Sequence, residues 1–75
     1  MRVIICGAGR VGYGIAARLS AEKNTVTIVD LNADLVRKVT NELDVRGVIG
    51  HGAHPDVLKR AGASDADMIL SLIHI

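Results

Sequence analysis

The sequence predicts an α/β fold in which a parallel sheet carries helices on both faces. Residues 2–6 form an apolar run that leads directly into the glycine spacing G-x-G-x-x-G at Gly7, Gly9 and Gly12. A second apolar run ends at Asp30, eighteen positions after Gly12 (30 − 12). Strand-like and helix-like segments then alternate along the chain, which is typical of a Rossmann-type domain.

Local patterning predicts each element in chain order. Residues 2–6 form the first strand, and residues 10–22 repeat apolar side chains at helical spacing, which predicts a helix that ends at Asn24. Residues 25–29 form the second strand, after which Asn32 caps a second helix. The apolar face of that helix consists of Leu35, Val36, Val39 and Leu43.

The second half of the chain continues the alternation. Residues 45–49 predict a third strand and residues 50–54 a loop. A short third helix over residues 55–61 opens on Pro55, which suits the first helical position, and Gly62 stops it.

The last apolar run, residues 68–73, predicts a buried parallel strand. Right-handed crossovers place the strands in the order 3-2-1-4, with a cleft between strands one and four. The prediction is one partial Rossmann domain over residues 1–75, truncated to about four strands.

The glycine spacing is typical of a phosphate-binding turn. Gly7 permits a tight turn, Gly9 lets the backbone approach a pyrophosphate, and Gly12 lets the helix lie close to the strand. The helix that begins near Arg10 directs unpaired amides and its positive dipole end at the same place. A carboxylate at Asp30 accepts hydrogen bonds from ribose hydroxyls, which favours NAD or NADH and disfavours the 2′-phosphate of NADP.

Composition excludes several classes of partner. The chain is 49% apolar and 23% charged with a net charge of +1, which predicts no strong affinity for nucleic acid or for membrane surfaces. A charged leader and a long apolar run are both missing, so we expect a cytoplasmic protein. The single cysteine, Cys6, is expected to be a small buried hydrophobic residue without chemistry.

Two further sites are considered and rejected. His51 and His54 have a spacing that suits a metal pair, but a third ligand is lacking, so no metal site is predicted. The glycine spacing also resembles a P-loop. Tyr13 and Gly14, however, occupy the lysine and serine or threonine positions that such a loop needs.

Four segments of the chain resemble the N-terminal nucleotide-binding domain of the Trk-type potassium-uptake regulatory proteins, the RCK or KTN family. These segments are residues 4–12 (IICGAGRVG), 29–34 (VDLNAD), 50–58 (GHGAHPDVL) and 61–67 (AGASDAD). The first is generic to Rossmann proteins, whereas the last two together are far more particular.

The resemblance implies a binding site made of three groups of residues. The phosphates would be held by Gly7, Gly9, Arg10, Val11 and Gly12. The ribose would be held by Asp30, with Leu31 beside the adenosine. The adenine would be flanked by Gly50, His51, Gly52 and Ala53.

The resemblance also implies a regulatory function. Family members bind NAD or NADH, and in relatives ATP or ADP, and couple nucleotide occupancy to a membrane-embedded potassium transporter or channel. We therefore expect a homo-oligomeric subunit at the inner face of the cell membrane. His51 departs from the acidic or amide residue that many members carry. Residues 71–75 also depart, so contacts on the far side of the cofactor are expected to be missing or altered.

Two other functions stay open at this point. An NAD-dependent dehydrogenase would begin with the same cofactor-binding half, although this sequence offers no catalytic group beside the nicotinamide. A dimerising module that binds no nucleotide would also fit the small size and the apolar last strand. We predict ligand sensing without catalysis.

Overall fold

A computed structural model describes residues 1–52 and 54–72. Its elements are β1 (Arg2–Cys6), α1 (Arg10–Ala21), β2 (Thr25–Asp30), α2 (Ala33–Glu42), β3 (Arg46–Ile49), α3 (Pro55–Arg60), a 3₁₀ turn (Ala63–Asp65) and β4 (Met68–Ser71). The predictions for Ala53 and for residues 73–75 lie outside the described residues. All strand pairs are parallel and the strand order is β3-β2-β1-β4, which confirms the predicted topology.

The two central strands, β1 and β2, carry most of the core. Ile5 and Ile28 pack on one face of the sheet with residues of α1 and α2, including Ala16 and Val39. Ile4, Cys6 and Val29 pack on the other face with Val57 and Ala61, at α3 and its end. Helices therefore cover both faces, as the sequence predicts.

The ends of α2 and α3 also follow the sequence prediction. The side-chain oxygen of Asn32 accepts hydrogen bonds from the amides of Asp34 and Leu35 at 2.9 and 3.2 Å, which is an N-cap. After α3, Gly62 adopts a φ of +91°, the conformation typical of a glycine just beyond a helix.

The end of α1 differs in detail from the prediction. The helix ends at Ala21, and the chain reverses at Lys23, whose φ is +65°. The amide of Lys23 bonds the carbonyl of Ser20, and the amide of Asn24 bonds that of Leu19. This pair of bonds is a Schellman motif in which lysine occupies the position that glycine usually takes.

The prediction of a buried last strand is wrong. β4 pairs only with β1 within the described chain, and the side chains of Met68 and Ile69 are 42% and 45% exposed. An apolar run reports a preference for burial, but burial also needs an element that covers the strand.

Candidate functional site

The turn between β1 and α1 depends on glycine at two positions. Gly7 has a φ of +126°, which disfavours any side chain. A Cβ at Gly12 would overlap the carbonyl oxygen of Gly7, so α1 lies this close only because the position is glycine. A Cβ at Gly9, in contrast, would meet no atom within 4 Å. Gly9 therefore borders open space from which a ligand can approach the backbone.

The first turn of α1 leaves backbone donors unpaired. Gly9 is the N-cap, and within residues 1–52 and 54–72 no side chain forms a capping hydrogen bond at this end of the helix. The first backbone bond runs from the amide of Tyr13 to the carbonyl of Gly9, at 2.8 Å. The amides of Arg10, Val11 and Gly12 therefore lack intrahelical acceptors. With the helix dipole, they make this end attractive to an anion.

Asp30 fastens the glycine turn to the end of β2. One carboxylate oxygen, Oδ2, accepts a hydrogen bond from the amide of Ala8 at 2.8 Å, and Oδ1 accepts one from the amide of Asn32 at 2.8 Å. The amide of Gly7 also donates to the carbonyl of Val29, at 2.7 Å. The two motifs that the sequence separates by about twenty residues thus meet at one edge of the sheet.

A cavity of about 200 Å³ lies at this edge. It is lined by Gly7, Val29, Asp30, Leu31, Gly50, His51 and Gly52. Six of the predicted site residues are therefore brought together around one cavity. Leu31 is 65% exposed, which leaves an apolar side chain available at the rim.

The loop after β3 is held beside Asp30 by the backbone. The amide of Gly50 donates to the carbonyl of Asp30 at 2.9 Å, and the amide of His54 donates to that of His51 at 3.0 Å. The rings of His51 and His54 meet edge to face, with centroids 5.3 Å apart. Within residues 1–52 and 54–72, no three His, Cys, Asp or Glu side chains form a cluster that could hold a metal ion.

The other predicted phosphate-side residues lie outside this cavity. Gly9 and Arg10 line a larger neighbouring cavity of about 340 Å³ between α1 and α2. Val11 lines neither cavity and is 64% exposed, whereas Gly12 is buried against the turn. Apart from Gly7, which lines the cavity beside Asp30, the phosphate-side residues therefore lie outside that cavity.

Sequence reasoning missed two contributors to this region. Ala8 takes part through its backbone amide, which donates to Asp30. A backbone contact of this kind cannot be predicted from the type of side chain at that position. Lys38 lines the larger cavity from α2, although the helical pattern predicts only an exposed charged face there. The position of Lys38 in this cavity could be predicted only from the way in which α1 and α2 pack.

Cys6 immediately precedes the turn and is 2% exposed. Burial raises the pKa of its thiol because the thiolate would lose hydration. The thiol therefore stays protonated at neutral pH and offers no nucleophile to the site.

In the described part of the chain, the helices are all too short or too polar to cross a bilayer.

The parallel β3-β2-β1-β4 sheet and the glycine turn that opens α1 define a Rossmann-type domain. A solved structure described as Shewanella denitrificans Kef CTD in AMP bound form has the same fold, with a TM-score of 0.83 and 29% sequence identity. The match covers all of this chain and 44% of that one.

The chain belongs to the TrkA-N domain family, whose model matches residues 3–74. The Trk system potassium uptake protein TrkA of Azorhizobium caulinodans is 57% identical over 72 residues, and that of Vibrio alginolyticus is 51% identical. Each match covers 96% of this chain and 16% of the relative. The chain thus spans about a sixth of the length of these relatives, and the resemblance inferred from the sequence is confirmed.

Proposed function

We propose that the chain is a partial Rossmann domain, residues 1–75, that binds an adenine nucleotide and regulates potassium uptake. One observation carries the proposal: Asp30, the glycine turn and the loop at Gly50 surround one cavity at the carboxyl ends of the strands. Ligands of open α/β sheets bind at this edge.

In the proposed complex, the nucleoside and the phosphates occupy adjacent parts of the edge. The ribose hydroxyls donate to Asp30, and the adenine lies against Leu31 with Gly50, His51 and Gly52 beside it. The cavity of about 200 Å³ is smaller than the roughly 300–1,000 Å³ of typical ligand pockets, so we assign only the nucleoside part of the ligand to it.

The phosphates then lie over the start of α1. The backbone amides of Arg10, Val11 and Gly12 are directed there, and Gly9 leaves the approach open. The guanidinium of Arg10 adds a positive charge at the same helix end. The second half of a dinucleotide would continue from this point toward β4.

NAD or NADH is the proposed ligand, with ATP or ADP as the other candidates. All four carry the adenosine diphosphate unit to which the proposed contacts are made. The AMP named with the Kef structure is held by a protein of the same fold, which supports an adenine nucleotide. The carboxylate of Asp30 would repel the 2′-phosphate of NADP, so NADP should bind more weakly.

The proposed partner is a membrane-embedded potassium transporter or channel subunit, because the relatives are named as potassium uptake proteins. We propose a homo-oligomeric, cytoplasmic regulatory subunit that reaches the inner face of the membrane through this partner. Nucleotide occupancy would change transport only if two states of the assembly bind the nucleotide with different affinity.

The domain is proposed to have no catalytic residue. His51 and His54 follow β3, which forms one edge of the sheet. The nicotinamide would lie beside β4, at the opposite edge. The alternative is the cofactor-binding half of a dehydrogenase. Loss of NADH absorbance beyond one equivalent per chain, with added ketone or aldehyde substrates, would favour that alternative.

A pair of glycine variants tests nucleotide binding. A Cβ meets no atom within 4 Å at Gly9 or at Gly14, so Gly9→Ala and Gly14→Ala should both fold. The new methyl group in Gly9→Ala lies where the phosphates must approach, whereas the one in Gly14→Ala lies on an exposed part of α1. Isothermal titration with NADH, NAD, ATP and NADP measures the affinity of each variant.

We expect the unsubstituted chain and Gly14→Ala to bind NADH or NAD equally, and Gly9→Ala to bind about tenfold or more weakly, a loss of about 1.4 kcal/mol. Circular dichroism confirms that both variants are folded. Equal affinity in both variants would remove the phosphates from the glycine turn. Failure of the folded, unsubstituted chain to bind any of the four nucleotides would overturn the proposed function.

A further inference from the structure

We infer that Asp30 is a positioning residue, whose carboxylate holds the glycine turn in its phosphate-receiving shape before any ligand arrives. The inference rests on the proposed function in taking the turn as the phosphate site. Its basis is the hydrogen bond from the amide of Ala8 to Oδ2 of Asp30, at 2.8 Å.

The hydrogen bond joins a buried donor to a charged acceptor. Ala8 is 3% exposed, so its amide has little access to water and needs a partner from the protein. A charged acceptor makes such a bond stronger than a neutral one. Without the carboxylate, the amide of Ala8 would lose its hydrogen-bond acceptor. The turn could then change its backbone conformation easily, because Ala8 lies between two glycines.

Two consecutive amides are tied to the end of β2. The amide of Gly7 donates to the carbonyl of Val29 at 2.7 Å, and the next amide, that of Ala8, donates to Asp30. The second oxygen of Asp30 accepts from the amide of Asn32, which orients the carboxylate itself. The turn is thereby held at two successive points, and the following amides enter the first turn of α1.

A ribose need not break this arrangement. Each carboxylate oxygen has two lone pairs, and each oxygen of Asp30 uses one of them for a backbone amide. The remaining lone pairs can accept from ribose hydroxyls. One side chain then serves both halves of a nucleotide, through direct contact with the ribose and through the shape of the turn around the phosphates.

A ligand without a ribose separates these two roles. Inorganic pyrophosphate makes no ribose contact, so a residue that only binds ribose would not assist it. Removing a nearby negative charge should even tighten the binding of an anion. Positioning by Asp30 predicts the opposite for Asp30→Ala, because the turn loses its hydrogen bond.

The matched variant is Asp30→Asn, which removes the same charge but retains one oxygen acceptor. That oxygen should face the amide of Ala8, because the bond to Ala8 is part-buried and the bond to Asn32 is exposed. Asp34→Ala is a second control, since it removes an exposed carboxylate that pairs with Arg37 on α2.

Titration with pyrophosphate should show about fivefold to tenfold weaker binding by Asp30→Ala than by Asp30→Asn, the effect of one lost hydrogen bond. Asp34→Ala should bind pyrophosphate at least as tightly as the unsubstituted chain. Binding by Asp30→Ala that is equal to or tighter than that of Asp30→Asn would overturn the inference.

Hydrogen exchange measured by NMR tests the same inference without any ligand. The amide of Ala8 should be protected in the unsubstituted chain and in Asp30→Asn, and should exchange about tenfold faster in Asp30→Ala. The amide of Ile28, in the central strand, serves as the internal reference. Unchanged protection of Ala8 in Asp30→Ala overturns the inference, whereas absence of nucleotide binding by the unsubstituted chain overturns only the proposed function.

Discussion

The central strands and the edge strands of this sheet differ sharply in how they are packed. Ile5 in β1 and Ile28 in β2 have no exposed surface, whereas Ile49 in β3 and Ile69 in β4 are 49% and 45% exposed. Both anchors of the candidate site, the glycine turn and Asp30, continue directly from the central strands. The candidate site is therefore built on the most deeply buried strands of the domain, while the edge strands leave apolar surface exposed.

The largest expected effect comes from truncating one isoleucine in each region. Ile28→Ala removes a fully buried side chain and should lower the free energy of unfolding by about 2–5 kcal/mol. Ile69→Ala removes a half-exposed side chain and should cost less than about 1 kcal/mol. Urea denaturation of both variants measures the difference. Equal losses would show that β4 is covered in solution.

The same contrast explains what the sequence could predict. Bounds within one residue were obtained for β1, β2 and β3 because apolar runs between glycine, asparagine and charged residues delimit them. The exposure of Met68 and Ile69 was not predictable, because it depends on what lies beyond the strand in space. The apolar character of β4 can be read from its own residues, whereas its burial depends on which other elements pack against it.

The candidate site shows a similar division. The spacing from Gly12 to Asp30 was enough to predict that the turn and the carboxylate meet, because both follow parallel strands. The bond from the amide of Ala8 to Asp30 was not predictable, since every residue except proline offers the same amide. The larger cavity, which includes Lys38, depends on how two helices pack, and composition does not show this.

A second test of the central region uses the pH dependence of stability. Burial raises the pKa of the Cys6 thiol above its ordinary value of 9.0. Above pH 9.0 the unfolded chain releases a proton that the folded chain still holds, so this group favours unfolding as the pH rises. Below that pH both states hold the proton and the group contributes no pH dependence.

The Cys6→Ala variant isolates this effect. It should be less stable than the unsubstituted chain at neutral pH because it loses buried volume. The difference in free energy of unfolding between the unsubstituted chain and Cys6→Ala should become smaller as the pH rises from 9.0 to the raised pKa of the folded thiol. Urea denaturation at several pH values measures it. A difference that stays constant up to about pH 10.5 would contradict burial of the thiol.

The smallest effect is expected at Lys23, in the connection from α1 to β2. Its φ of +65° is a conformation that costs a lysine about 1–2 kcal/mol, and glycine adopts it freely. Glycine also makes the unfolded chain more flexible, which offsets part of the gain. Lys23→Gly should therefore raise the free energy of unfolding by about 0.5–1 kcal/mol, measured by urea denaturation.

Lys23→Val provides the opposing control at the same position. A β-branched side chain fits a positive φ poorly, so this variant should be less stable than the unsubstituted chain. The backbone bonds from Lys23 to Ser20 and from Asn24 to Leu19 are compatible with glycine, so α1 should still end at the same place in Lys23→Gly. If Lys23→Val and Lys23→Gly changed the free energy of unfolding equally, the positive φ at position 23 would carry no cost for a residue with a side chain.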